Sequence, residues 1–185
     1  MTSRKEKGES YTYGERLTKA RIDGDKLTWW EQASPPNVSQ EDKDKNPVNE
    51  IIERREVDGR VVFKEDGQTY LNQIEWTIDT YKESGFGNNQ NVLQVAEPTD
   101  RALKDPPCLR SIDTRILDDE LHFAVYFRSW DLWGGLPANL AGIQTLKEYM
   151  ASEIGVEDGE MIVESKGLHL YGYAENLAQL RMLRE

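Results

Sequence analysis

The sequence predicts an α/β fold, a single domain over residues 1–185 with a mixed twisted β-sheet flanked by helices, and two kinds of pattern predict it. Apolar residues recur at helical spacing in two segments, Leu71–Lys82 and Asn139–Ile154. Alternating or continuous apolar runs at Leu109–Ile116, Leu121–Phe127 and Met161–Val163 read as strands. A chain of 185 residues can bury a real core around such elements, and no low-complexity tract competes with that reading.

Taken in order, Tyr11–Lys19 holds a turn glycine, Gly14, that leads into a helix-compatible run and by its residues alone reads as a packing turn. Residues 23–49 turn polar, with Pro35-Pro36-Asn37 and a charged tract at 41–45. Such composition cannot offset the entropy of ordering the chain, so a loop excursion is expected there, anchored by Trp29-Trp30. Ile51-Ile52 marks a short helix or strand, Arg54-Arg55 a solvated charged face, and Asp58-Gly59 a hairpin turn into a strand at Arg60–Phe63.

In Leu71–Lys82 the residues Ile74, Ile78 and Tyr81 share one face, and Ser84-Gly85-Phe86-Gly87 stops the helix. Asn88–Val95 alternates as an edge strand. Pro106 and Pro107 deny Cys108 helical continuation, and the Asp118-Asp119 turn joins two strands into a hairpin with Ile112, Phe123 and Val125 buried. Leu140, Ile143, Leu146, Met150 and Ile154 form the stripe of the strongest helix, which Gly155 ends. An acidic turn at Glu157-Asp158-Gly159 and a buried strand at Met161–Val163 are expected next, then an extended segment with His169 and Tyr171 on one face and a closing helix at Glu175–Arg184.

Composition removes several classes. A net charge of -11 argues against nucleic-acid binding, because a phosphate-tracking surface needs a basic stripe. No apolar run reaches the roughly 18 residues needed to span a bilayer, and the charged first ten residues lack the apolar region of a secretory signal, so a cytoplasmic protein is expected. One cysteine cannot form an internal disulfide, and two histidines with one cysteine are too few for a structural zinc site, so no metal is expected. Cys108 is then either a buried small hydrophobe or a reactive thiol.

Its surroundings favour the second reading. Between Asp105 and Asn139 stand the one thiol, Arg128 beside Ser129, the carboxylate of Asp131, the pair Gly134-Gly135 and the amide of Asn139, a set suited to a small anionic ligand. Asp105-Pro106-Pro107-Cys108-Leu109, then Tyr126-Phe127-Arg128-Ser129-Trp130-Asp131-Leu132-Trp133-Gly134-Gly135, a Gly135-Leu136-Pro137-Ala138-Asn139 turn, and Ser165-Lys166-Gly167-Leu168-His169-Leu170-Tyr171 together resemble thymidylate synthase, in wording closest to its short archaeal branch. The likeness covers about residues 73–180, with four motifs in the family's order, and before it Tyr13-Gly14 with Leu17 is similar to the family's turn-and-helix entry.

The resemblance implies a thymidylate synthase-like homodimer, packed sheet against sheet, that converts dUMP to dTMP with 5,10-methylenetetrahydrofolate or a methanopterin analogue as co-substrate. Cys108 would add to uracil C6, splitting a hard methylation into easier steps. Arg128 and Ser129 would bind phosphate, with the guanidinium also favouring an ionised sulfur. Asn139 would match the N3–H and O4 of uracil, where a carboxylate would suit cytosine, and it could double as a helix N-cap. His169 and Tyr171 would hold the deoxyribose hydroxyl. Asp131 would meet the pterin ring with Trp130 and Trp133 as stacking surfaces, and Gly134 and Gly135 would let backbone amides approach the ligands.

The sequence departs from the family in four places. Asn88-Asn89-Gln90 stands where paired phosphate arginines are usual, leaving Arg101 and Arg110 as substitutes; Leu109 replaces the histidine after the cysteine; Glu9, Glu15 and Glu31 are the nearby carboxylates for a general acid; and the chain stops soon after His169. A pyrimidine-nucleotide hydroxymethylase and a non-catalytic nucleotide-binding homologue are therefore the alternatives. A cysteine hydrolase is disfavoured because His122 and His169 both sit in strand-like runs without an evident orienting group.

Overall fold

The structure, a computed structural model, describes residues 12–22 and 61–182. The expectations for the loop at 23–49, Trp29-Trp30, Ile51-Ile52, Arg54-Arg55 and the Asp58-Gly59 turn lie outside the described residues, as do Glu9 and Glu31.

The elements in chain order are α1 (Tyr13–Thr18), β1 (Ala20–Ile22), β2 (Val62–Glu65), β3 (Gln68–Leu71), α2 (Gln73–Ser84), β4 (Val92–Gln94), a 3-10 turn (Pro98–Ala102), β5 (Leu109–Leu117), β6 (Glu120–Phe127), β7 (Trp130–Asp131), α3 (Gly135–Ile154), β8 (Glu157–Ser165), β9 (Leu168–His169) and α4 (Gly172–Arg181). The architecture is α/β, as the sequence predicts. Among the described residues no helix is long and apolar enough to cross a membrane.

The chain divides into two compact units, Leu17–Trp76 and the remainder, Met1–Arg16 with Thr77–Glu185. In the smaller unit β1, β3 and β2 form an antiparallel sheet in that order. The β2–β3 link is Asp66-Gly67, with φ of 52° and 76°, the doubly positive backbone of a two-residue hairpin turn that matches strand twist. The expected strand at Arg60–Phe63 is thus shifted to Val62–Glu65, and the turn signal that decides its register is Asp66-Gly67. Asn72 then caps α2, its Oδ1 accepting the N–H groups of Ile74 and Glu75 at 3.2 and 3.3 Å, so the helix starts at Gln73 instead of Leu71.

The larger unit is built on a sheet of order β4-β5-β6-β8. The β5–β6 hairpin closes on Asp118 and Asp119, at φ 51° and 61°, and pairs Leu117 with Glu120 and Leu109 with Phe127. Alternation then buries Leu109, Ile112 and Ile116 of β5 and Leu121, Phe123, Val125 and Phe127 of β6 on one face. The same core holds Leu93, Val95, Ile143, Met150 and Ala151. Within this unit the Tyr81 hydroxyl donates to the Thr114 carbonyl at 2.8 Å, so a buried polar atom is satisfied.

Because β6 and β8 are parallel, the chain must cross over between them, and α3 supplies the crossover. Two expectations fail here. Glu157-Asp158-Gly159 is the start of β8, not a turn, and Met161–Val163 is not buried throughout: Ile162 is 67% exposed. The physical reason is that one face of the sheet is open on β6 as well, and alternation turns Ile162 to that face beside Ala124 while Met161 and Val163 point inward. Gly159 fits because a Cβ there would lie 2.8 Å from His122 Cε1 and 2.9 Å from the Leu121 carbonyl. The helix stripe is also not purely apolar, since Lys147 is buried beside Ile143 and Met150, its ammonium held by the Asp158 carboxylate and the Gly159 carbonyl.

Candidate active site

The register of the β5–β6 hairpin places the thiol. Leu109 pairs with Phe127, so the residues just outside that pair, Cys108 and Arg128, face each other, and the Arg128 N–H donates to the Cys108 carbonyl at 2.8 Å. Cys108 is half-buried. The Arg128 guanidinium folds back over the preceding loop. Its Nε donates to the carbonyls of Pro106 and Pro107 at 3.2 and 3.1 Å, and its Nη2 reaches the Asp105 carboxylate at 3.2 Å. Arg110 adds a longer bond to the Pro107 carbonyl, 3.4 Å, so two cations grip the loop that carries the sulfur. Arg101 lies exposed in the 3-10 turn.

A second juxtaposition follows from the short parallel pair of β7 with β9, in which Asp131 stands opposite His169. Ser129 Oγ lies 3.1 Å from His169 Nδ1, and the His169 ring meets the Tyr171 ring edge-on at 5.0 Å. His169 and Tyr171 do share a face, and Tyr171 stacks in turn on Tyr173. Cys108, Arg128, Ser129, His169 and Tyr171 are thereby joined through consecutive contacts at one end of the sheet.

Asp131 has a local task. Its carboxylate accepts the N–H groups of Trp133, Gly134 and Gly135 at 3.1, 3.0 and 3.0 Å, satisfying donors at the start of α3 that would otherwise lack partners. Burial pushes its carboxyl up, but those three N–H groups and the nearby His169 outweigh burial and hold it below its usual value. Gly134 and Gly135 are small because a Cβ would lie 3.3 Å from Asp131 Oδ2 and 3.2 Å from Asp131 Cβ respectively. Their amides point at Asp131, which corrects the expectation that they face the ligands.

Asn139 is likewise corrected in part. It lies inside α3, which starts at Gly135, so it is not an N-cap; Pro137 is tolerated because first-turn N–H groups have no helical partner anyway. Its Oδ1 accepts the Trp130 Nε1–H at 3.0 Å. An indole N–H can only donate, which fixes the amide with Nδ2 on its other side. Trp130 is 5% exposed and stacks on Phe127 at 4.3 Å, so it orients Asn139 from within the core and has little free ring to offer a ligand. Trp133 is partly exposed, with the Arg181 guanidinium 5.4 Å from its ring centre.

The contact that Tyr13 makes escapes a reading of the sequence. The Tyr13 hydroxyl, on α1, accepts the Leu109 N–H at 3.3 Å and interacts with both the backbone and the side chain of Cys108. Nothing in its local pattern ties it to a cysteine so far along the chain. His122, by contrast, is occupied elsewhere, its Nδ1 accepting the Glu160 N–H at 3.0 Å.

The backbone of Cys108 is thus bonded to Arg128, whose neighbour Ser129 meets His169, on an α/β sheet. The family model described as thymidylate synthase matches residues 17–185. The chain is similar to a protein of Methanosarcina mazei whose provisional name is thymidylate synthase, with 35% identity over 103 residues, 56% of this chain and 48% of the relative. It is also similar to proteins named thymidylate synthase from Symbiobacterium thermophilum, 30% identical over 130 residues (65% of this chain, 45% of the relative), and Corynebacterium aurimucosum, 33% identical over 108 residues (57% and 39%). The chain belongs to the thymidylate synthase family. It spans about half the length of the curated relatives it matches first.

Proposed function

We propose that the protein methylates dUMP to dTMP, with 5,10-methylenetetrahydrofolate or a methanopterin analogue giving both the one-carbon unit and the hydride. The observation that carries this reading is the pairing of Cys108 with Arg128 across the hairpin, joined through Ser129 to His169. Cys108 Sγ adds to C6 of uracil; the C5=C6 π pair moves into the ring as an enolate, and C5 becomes the nucleophile. Arg128 and Ser129 bind the phosphate, the guanidinium trading its Asp105 contact for it. His169 and Tyr171 take the deoxyribose hydroxyl.

Asn139 reads the base. Trp130 holds its Oδ1, so Nδ2 donates to O4 while the second Oδ1 lone pair is left for N3–H. Asp131 orients the pterin ring with the acceptor capacity its three amide bonds leave over, and Trp133 supplies the apolar wall. A homodimer is part of the proposal. The outward face of the sheet carries exposed Leu117, Tyr126 and Ile162, apolar area that a second sheet would cover.

Product analysis tests the reaction. With dUMP and methylenetetrahydrofolate the expected products are dTMP and dihydrofolate in equal amounts. Hydroxymethyl-dUMP without dihydrofolate, or nucleotide binding in calorimetry without turnover, would replace this reading with the hydroxymethylase or the binding protein.

A further inference from the structure

We infer that Arg110 is a second phosphate-binding arginine, set with Arg128 about the Pro107 carbonyl so that one chain alone holds its ligand's phosphate with two guanidinium groups. The inference deepens the function proposed above, and the assignment of that phosphate to a nucleotide rests on it.

The backbone places the side chain. Pairing of β5 with β6 slips by one residue between Leu109 and Ser111, so Leu109 pairs with Phe127, Ser111 pairs with Tyr126, and Arg110 has no partner across the hairpin. Such a bulge re-aims the residue it adds. It is fixed from the other edge, where the Arg110 carbonyl accepts the N–H groups of Val95 and Ala96 at 3.1 and 3.0 Å. The Arg110 side chain, half-buried, turns back along the chain to Pro107.

There it meets Arg128. Arg110 Nη1 and Arg128 Nε donate to the same oxygen, the Pro107 carbonyl, at 3.4 and 3.1 Å, so the two nitrogens stand no farther apart than those bonds laid end to end. Two cations at that separation repel each other. One carboxylate answers them locally: Asp105, 92% exposed, which bonds Arg128 and not Arg110. Asp100 feels Arg110 only from a distance, and its carboxylate is taken by Arg16 and the Glu97 N–H. Arg110 thus has no ion pair of its own among the described residues. In a chain where 34 carboxylates outnumber 23 cations, a pair of arginines left with an excess of positive charge marks a place for an anion from outside.

The donors are in place as well. A guanidinium carries five N–H groups, and Arg110 commits one of them. Arg128 commits Nε to Pro106 and Pro107 and Nη2 to Pro106 and Asp105, which leaves Nη1. Because carbonyl bonds hold both side chains before a ligand arrives, little ordering is lost when a phosphate takes the remaining N–H groups.

The test compares two ligands that differ only in the phosphate. Dissociation constants of dUMP and deoxyuridine are measured by calorimetry for the unmutated protein, Arg110→Gln and Arg110→Lys. Arg110→Gln should weaken dUMP about 10-fold, the loss of one charge-assisted contact, and leave deoxyuridine within about 2-fold; Arg110→Lys, which keeps the charge, should recover part of the loss. Equal weakening of both ligands would mean that Arg110 only steadies the loop at Pro107, and an unchanged dUMP affinity in Arg110→Gln would also overturn the inference. A second measurement needs neither variant nor nucleotide. In the unmutated protein labelled with nitrogen-15 arginine, inorganic phosphate added at constant ionic strength should shift the Nε–H resonances of Arg110 and Arg128 together, with one midpoint; a shift of Arg128 alone counts against the pair. If dUMP does not bind while phosphate still moves both resonances, the nucleotide reading falls and the two-arginine site stands.

Discussion

Cys108→Ser should lower turnover of dUMP by at least about 10³-fold while leaving the fold and nucleotide affinity close to those of the unmutated protein. The Cys108 side chain is half-buried, and the backbone contact that positions it does not use the sulfur. The Arg128 N–H donates to the carbonyl of residue 108, and Arg128 holds the carbonyls of Pro106 and Pro107, whatever side chain residue 108 carries. A serine hydroxyl fits the same space but cannot ionise near neutral pH, so addition to C6 fails. Calorimetry with dUMP and a continuous assay of dihydrofolate formation separate the two effects. Turnover within tenfold of the unmutated protein would mean that the thiol is a packing residue.

The largest effect on stability is expected at Asp100. Its carboxylate is 2% exposed, receives two bonds from Arg16 and a third, 2.7 Å, from the Glu97 N–H. Asp100→Ala takes from the Arg16 side chain, 15% exposed, its buried carboxylate partner, while the Val95 carbonyl and an exposed Glu97 carboxylate stay beside it. Breaking a buried pair from one side costs roughly 3 to 5 kcal/mol, and the surviving Glu97 contact places this case near the lower end.

The pH dependence carries its own sign. Burial raises the Asp100 carboxyl, but the Glu97 N–H, Arg16 and the more distant Arg110 together hold it below the usual 3.8. A carboxyl whose folded value is depressed contributes stability that is present above the unfolded value and lost as pH falls through the folded one. Urea midpoints between pH 5 and 2, pH values chosen to bracket about 3.8, should therefore fall more steeply for the unmutated protein than for Asp100→Ala. Parallel acid limbs would contradict the assignment.

These residues show what a sequence can disclose about such a site. The hairpin that sets Cys108 against Arg128 was legible, since alternation and the Asp118-Asp119 turn fix its register locally. The order of the motifs carried the family. What escaped depends on contacts that spacing cannot encode. The start of α3 is set by the Asp131 carboxylate four residues ahead of Gly135, so Gly-Leu-Pro, which has the composition of a turn, became a helical first turn. An apolar triplet at Met161–Val163 fits a strand covered on one face or on both, and only what packs against the sheet decides. Lys147 interrupts an apolar stripe because an acidic group and a carbonyl at the start of β8 wait for it. What Tyr13 touches could not be seen, as its partner lies at the far end of a long separation in sequence.

The central claim is covalent chemistry at one sulfur, and the direct measurement is mass spectrometry after incubation with 5-fluoro-deoxyuridylate and methylenetetrahydrofolate. Trypsin releases Cys108 in the peptide Asp105–Arg110. The prediction is that this peptide carries the combined mass of nucleotide and folate. An unmodified Asp105–Arg110 peptide, recovered while calorimetry shows both ligands bound, would contradict it.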